Sequence, residues 1–198
     1  GTLRAQYPVP DWDLAHAQTS NREPINPRPL DQTAIYRALD RHAVGFIAYS
    51  EGCNDDVNKI VWSQGGWNPD KNVRDILMEY SNFFFDSKVE EKAAEGILGL
   101  ERNWDGSIID NGGIEPTLAY WKNLETGNPQ LSGNWRWQML VMRAYYDSYV
   151  RQRKIYETGL EKQANRVLLQ ANVLGIDAAM KQALDLVNLA DTQPIERE

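Results

Sequence analysis

Three carboxylates and two other polar side chains lie within nine residues, at Glu51, Asp55, Asp56, Asn58 and Lys59. Carboxylates accept hydrogen bonds from sugar hydroxyls, and paired carboxylates act as acid and base in glycoside hydrolysis. The pattern predicts a carbohydrate site with Glu51 as the candidate catalytic group and the other four as candidate substrate-binding residues. A second interpretation stays open, because Asp55 and Asp56 also fit the first turn of a helix, where carboxylates are favoured by the helix dipole.

Tryptophans are the second feature that indicates a sugar site. Four of the seven lie in or beside segments rich in turn residues: Trp12, Trp62, Trp67 and Trp104. An aromatic face can stack on a sugar ring, so we take Trp12 and Trp62 as candidate substrate-binding residues, with packing in the core as the alternative for both. Trp121 and Trp137 lie on helical apolar stripes, and we expect both in the core.

The elements around these residues predict a mainly α fold. The apolar run 44–49 has the length of a strand buried on both faces, and Gly52 permits a turn after it. Together with a short strand at 3–9 and a helix at 30–42, it suggests a βαβ-like unit. From residue 54 the apolar periodicity is helical, with a long helix from about 135 to 171 that is typical of a bundle. The expected domains are 1–52 and 53–198.

Charge and composition exclude several classes of protein. The chain of 198 residues has a net charge of −7 and a pI near 5.0, which argues against binding to nucleic acid or an anionic membrane surface. It contains no apolar run of roughly 18 residues that would span a membrane. Its single cysteine, Cys53, and its two histidines have no spacing typical of a metal site, and no nucleotide-binding fingerprint is present. We therefore expect no cofactor and no metal.

The stretch Gly45 to Lys59, followed by Trp62 and by Trp67-Asn68-Pro69-Asp70, resembles large bacterial glycoside hydrolase-like proteins. In the α-glucuronidases and N-acetylglucosaminidases of this layout, a (β/α)8 barrel is followed by a helical domain. The resemblance implies that residues 1–52 are a remnant of barrel strands and loops, that 53–198 form a helical bundle, and that Glu51, Asp55 and Asp56 line the sugar site.

The same resemblance limits what this chain can do alone. A barrel needs eight strands and roughly 250 residues, whereas this sequence offers two candidate strands. The chain is therefore expected to be the C-terminal part of a secreted or periplasmic carbohydrate-active hydrolase. As an isolated fragment it should be inactive, because most of the barrel and the principal catalytic pair would be missing.

The alternative is a non-enzymatic helical module for interaction or oligomerisation. The apolar stripe of the 135–171 helix, which includes Leu140 and Val141, could pack on a partner chain. This interpretation predicts a possible homodimer through the long helix.

Overall fold

Helices form all the regular secondary structure in residues 27–48 and 55–195, the part of the chain that the computed structural model describes. The chain divides into two units, Gly1–Asp147 (unit 1) and Ser148–Glu198 (unit 2). The described residues of unit 1 contain five complete α-helices and the first part of a sixth: α1 (Pro29–Leu39), α2 (Asp55–Trp67), α3 (Val73–Phe84), α4 (Glu90–Arg102), α5 (Ile114–Gly127) and α6 (Trp135–Leu168). The mainly helical fold is thus confirmed. The predicted domain boundary at 52/53 lies outside the described residues.

Two tryptophans form the centre of the core of unit 1. Trp121 of α5 and Trp137 of α6 are both fully buried, and their rings meet edge to face with centroids 5.3 Å apart. The indole N–H of Trp121 donates to the carbonyl oxygen of Gly96 at 3.2 Å. A Cβ at Gly96 would lie 2.7 Å from the Trp121 ring, so the absence of a side chain lets α4 approach α5 closely. The sequence prediction that Trp121 and Trp137 belong to the core is confirmed.

Asparagines at helix starts satisfy backbone N–H groups that have no partner within the helix. The Oδ1 atom of Asn72 accepts from the N–H of Arg74 at 2.8 Å, at the start of α3. Asn134 precedes α6, and its Oδ1 accepts from the N–H of Arg136 at 3.0 Å. Its Nδ2 donates to the carbonyl oxygen of Phe84 at 2.7 Å, which ties the start of α6 to the end of α3.

The strand predicted at 44–49 is not present over the described residues 44–48, which adopt neither helix nor strand. The side chains of Val44 and Ile47 are fully exposed. A strand needs a neighbour to complete its hydrogen bonds, and no strand occurs elsewhere in residues 27–48 or 55–195. The other predicted strand, at 3–9, lies outside the described residues, as does most of the βαβ-like remnant.

Unit 2 begins within α6 and continues through α7 (Ala171–Leu174), α8 (Ile176–Val187) and α9 (Leu189–Thr192). Gly175 has a φ of +86°, a conformation that suits glycine, and it separates α7 from α8. The hydroxyl of Tyr156 on α6 donates to the carbonyl oxygen of Gln193 at 2.9 Å. The chain therefore folds back on itself, with α8 running antiparallel to the second half of α6. The long helix ends at Leu168 rather than near 171, and Gly159 does not interrupt it.

Candidate functional site

The first turn of α2 carries Asp55, Asp56 and Asn58, three of the polar residues that the sequence singled out. Asp55 and Asn58 are buried, and the Nδ2 of Asn58 donates to the Oδ1 of Asp55 at 3.2 Å. The Oδ1 of Asn58 accepts from the backbone N–H of Arg28 at 2.8 Å. These two side chains therefore join the start of α2 to the residue that precedes α1.

Asp56 is held by groups from two other helices. Its Oδ2 accepts from the hydroxyl of Tyr80 on α3 at 2.8 Å and from the Nε of Arg136 on α6 at 2.5 Å. The Arg136 guanidinium also lies over the ring of Phe84, 3.8 Å from its centroid. Burial raises the pKa of the Tyr80 hydroxyl above its ordinary value, and the nearby Asp56 carboxylate raises it further. Asp56 thus has an oriented, charge-balanced environment, although about a quarter of its side chain remains exposed.

Trp62 lies one to two turns further along α2, in a small aromatic cluster. Its ring centroid is 5.5 Å from that of Tyr36 on α1 and 5.3 Å from that of Phe46. Its indole N–H donates to the Oε1 of Gln32 at 2.6 Å. A Cβ on Gly66 would lie 2.7 Å from the Phe46 ring, so this glycine lets Phe46 sit against α2. Segment 43–48 is therefore fixed to α2 through Phe46, although that ring remains partly exposed.

The structure places five of the predicted site residues on consecutive turns of one helix: Asp55, Asp56, Asn58, Lys59 and Trp62. The side chain of Lys59 is partly buried. Glu51 and Trp12 lie outside the described residues, so no distance joins the proposed catalytic group to the others. The described residues do, however, fix the chain on both sides of Glu51, at Phe46 and at Asp55.

Glu101 on α4 is a structural carboxylate that the sequence did not reveal. It is buried, and its two carboxylate oxygens accept from the backbone N–H groups of Leu30 and Asp31, each at 2.8 Å. It therefore caps α1 from a position some 70 residues away in the chain. Burial raises the pKa of Glu101, and the two hydrogen bonds oppose that rise. No local motif identifies such a cap.

A second buried polar cluster surrounds Asp147 on α6. Its two carboxylate oxygens accept from the Nδ2 of Asn103 at 2.9 Å and from the indole N–H of Trp104 at 3.3 Å. The Nη2 of Arg143, one turn earlier, lies 2.7 Å from the Oδ1 of Asp147, and its guanidinium lies over the rings of Trp104 and Tyr146. Burial raises the pKa of Asp147, and the Arg143 charge opposes that effect. The i, i+4 spacing of Arg143 and Asp147 was the signal in the sequence.

An open cavity of about 480 Å³ lies on α3 and the start of α4. It is lined by three acids, an asparagine and two apolar side chains: Asp75, Met78, Glu79, Asn82, Phe83 and Glu90. Three of its four polar residues already have partners, because Lys71 pairs with Glu79 and Asn82 contacts Glu90. None of the residues that the sequence singled out lines this cavity.

Leu140 and Val141, the positions chosen for a dimer through the long helix, are buried in the core of unit 1. That part of the α6 stripe already packs within its own chain.

In the described residues, no group of three His, Cys, Asp or Glu side chains is placed to hold a metal ion. No helix in the described ranges has the length and hydropathy needed to cross a membrane. Comparisons with protein-family models, with curated proteins and with solved structures find no match.

Proposed function

We propose that this chain is the C-terminal region of a secreted or periplasmic carbohydrate-active hydrolase of the glycoside hydrolase-like layout. In this proposal residues 51–62 form one wall of a sugar-binding pocket, and residues 1–52 belong to the end of a (β/α)8 barrel that supplies the other walls. The observation that carries the proposal is the fixing of the chain on both sides of Glu51. Phe46 packs against α2 on one side, and Asp55 is held by Asn58 on the other.

The supports around α2 suit a site that must hold its groups still. Catalytic side chains work best when neighbouring contacts fix their geometry before the substrate binds. Contacts from Arg28, which precedes α1, and from α3 and α6 converge on the first turns of α2, at Asn58 and Asp56. A helical unit built in this way would keep the first turns of α2 in one place beside the barrel.

The chemistry proposed at this wall is hydrogen bonding to sugar hydroxyls and proton transfer at the glycosidic oxygen. Asp56 accepts three hydrogen bonds, from Val57, Tyr80 and Arg136, whereas a carboxylate has about four acceptor positions. Its remaining capacity and its exposed edge leave it able to accept one bond from a ligand hydroxyl. Glu51 is the proposed acid or base, because Asp55 is buried against Asn58 and Asp56 already binds two neighbouring side chains.

A glycosidase assay on the full-length protein tests the proposal with Glu51→Gln. We expect this variant to lose about 10²–10⁴-fold in turnover, the range for removal of a general acid or base. Glu161→Gln is the matched control, since Glu161 is an exposed glutamate of unit 2 and the change in charge is the same. Unchanged turnover in Glu51→Gln, with a folded protein, would remove Glu51 from the reaction.

A further inference from the structure

Helix α8 in unit 2 has an apolar arc that is only half covered. Ala179 and Ala183 are buried, whereas four larger apolar side chains on the adjacent part of the helix surface are largely exposed: Ile176 (70%), Met180 (52%), Leu184 (59%) and Val187 (48%). At 100° per residue these four fall within an arc of about 80°, so they form one continuous stripe, which we call the α8 stripe. Polar residues of the same helix, such as Asp177 and Gln182, lie outside this arc.

The hairpin of α6 and α8 explains why only half of the arc is covered. The hydrogen bond from Tyr156 to Gln193 sets the two helices antiparallel, and buried small or apolar side chains occur on both, at Leu160, Ala164, Ala179 and Ala183. In a pair of helices, each helix buries only the face that it turns toward the other, and the remaining surface stays exposed. Burial of the α8 stripe therefore needs a third helix.

The spacing of the α8 stripe fits a second copy of the same helix. Its residues are separated by four, four and three positions along the helix. In the opposite direction the separations are three, four and four, so the pattern is nearly symmetric about the middle of α8. An antiparallel copy would place Ile176 opposite Val187 and Met180 opposite Leu184, so that side chains of similar size meet on both sides of a two-fold axis. We propose that this chain forms a homodimer in which the α8 helices of two copies pair antiparallel through the α8 stripe.

The exposed area is of the size that a stable dimer needs. The four side chains of the α8 stripe are 48–70% exposed, and Leu169 and Val173, which precede α8 in the chain, are 83% and 82% exposed. Together these six large apolar side chains approach the roughly 800 Å² per partner of a standard interface. Two hairpins joined in this way would form a four-helix arrangement, a common way to bury such stripes. A lipid surface is a poorer occupant, because α8 carries two acids and a single lysine on its polar side and the chain is acidic overall.

The test is the association state of the 198-residue chain, measured by sedimentation equilibrium from about 1 to 100 µM. We expect a dimer in the wild type and a dissociation constant raised at least about 100-fold in Met180→Glu/Leu184→Glu, because four added carboxylates would meet at the interface. Ala178→Glu/Gln182→Glu is the matched control. It places the same charges at the same i, i+4 spacing on exposed positions outside the stripe, and we expect it to shift the constant less than about threefold.

Circular dichroism of each variant separates lost association from lost folding. A wild-type chain that is monomeric throughout this range overturns the proposal, and so does a stripe variant that stays dimeric or a control that dissociates equally. The wild-type measurement stands even if the stripe variant unfolds. This inference is independent of the proposed sugar site, so either can fail without the other.

Disulfide trapping tests the orientation. In a Cys53→Ser background, chains with Ile176→Cys and chains with Val187→Cys are mixed and oxidised. Antiparallel pairing predicts disulfides between the two kinds of chain, because a disulfide requires Cα atoms within about 7 Å. Disulfides that form only between two Ile176→Cys chains would indicate parallel pairing and overturn the proposed geometry.

Discussion

Replacing Asp147 with asparagine should destabilise unit 1 by about 3–5 kcal/mol, the range for breaking a buried ion pair by removing one partner. Arg143 and Asp147 are only 2% and 1% exposed, with 2.7 Å between Nη2 and Oδ1. Asparagine keeps the size of the side chain but removes its charge. The Arg143 guanidinium would then keep its desolvation cost and lose the attraction that offsets it.

A double variant separates the stranded charge from the loss of hydrogen bonds. Arg143→Met/Asp147→Leu removes both charges, and buried pairs replaced by apolar residues often cost little. The Nδ2 of Asn103 would still lose its acceptor, at a cost of about 1–3 kcal/mol, whereas the half-exposed indole of Trp104 can bond to water. We therefore expect the double variant to be about 1–3 kcal/mol less stable than the wild type, and more stable than Asp147→Asn.

Urea unfolding at pH 7, followed by tryptophan emission, measures these differences. All seven tryptophans precede residue 148, so the emission reports on unit 1. The transition midpoint and slope give the free energy of unfolding for each variant. A loss below about 1 kcal/mol in Asp147→Asn, or a double variant less stable than the single one, would refute the assignment of a costly buried charge.

Two further predictions concern Gly96 and Glu101. Gly96→Ala should lower the free energy of unfolding by about 1–2 kcal/mol, because its Cβ would press on the Trp121 ring. Gly159→Ala should raise it by about 0.5–1 kcal/mol, because alanine favours a helix and the space around its Cβ is open. Thermal melts that rank the two variants the other way would contradict this prediction. Glu101→Gln should cost about 1–3 kcal/mol, because one of the two N–H groups of α1 loses its acceptor. Since burial raises the pKa of Glu101 above its usual value near 4.5, the folded state binds the Glu101 proton more tightly than the unfolded state does, and the stability of the wild type falls as the pH rises from about 4.5 through the raised pKa. The difference between the wild type and Glu101→Gln in urea titrations should therefore shrink as the pH rises through that window, and a difference that grows would contradict the prediction.

The sequence predicted the features that depend on local periodicity. Apolar residues at helical spacing placed Trp121 and Trp137 in the core and located the helix at 30–42 and the long helix at 135–171 to within about three residues. The strand prediction for the run 44–49 was not confirmed over residues 44–48, because a short apolar segment shows no periodicity that distinguishes a buried strand from a loop. Here the segment contacts α2 through one residue, Phe46. Contacts between distant parts of the chain could not be predicted from local patterns in the sequence. Glu101 binds the start of α1 across some 70 residues, and Asp147 binds Asn103 across 44.

The same distinction decides which variants can test the proposed sugar site. Asp55 and Asn58 are buried and hold α2 to the residue before α1, so their replacement would disturb the support whether or not a sugar binds there. Asp56 shares this problem, because its loss would leave Tyr80 and Arg136 without their acceptor. A loss of activity in these variants is therefore ambiguous, while a loss in Glu51→Gln with an unchanged melting temperature is not. Glu51→Gln is therefore the variant that tests the proposed chemistry separately from the support that α2 provides.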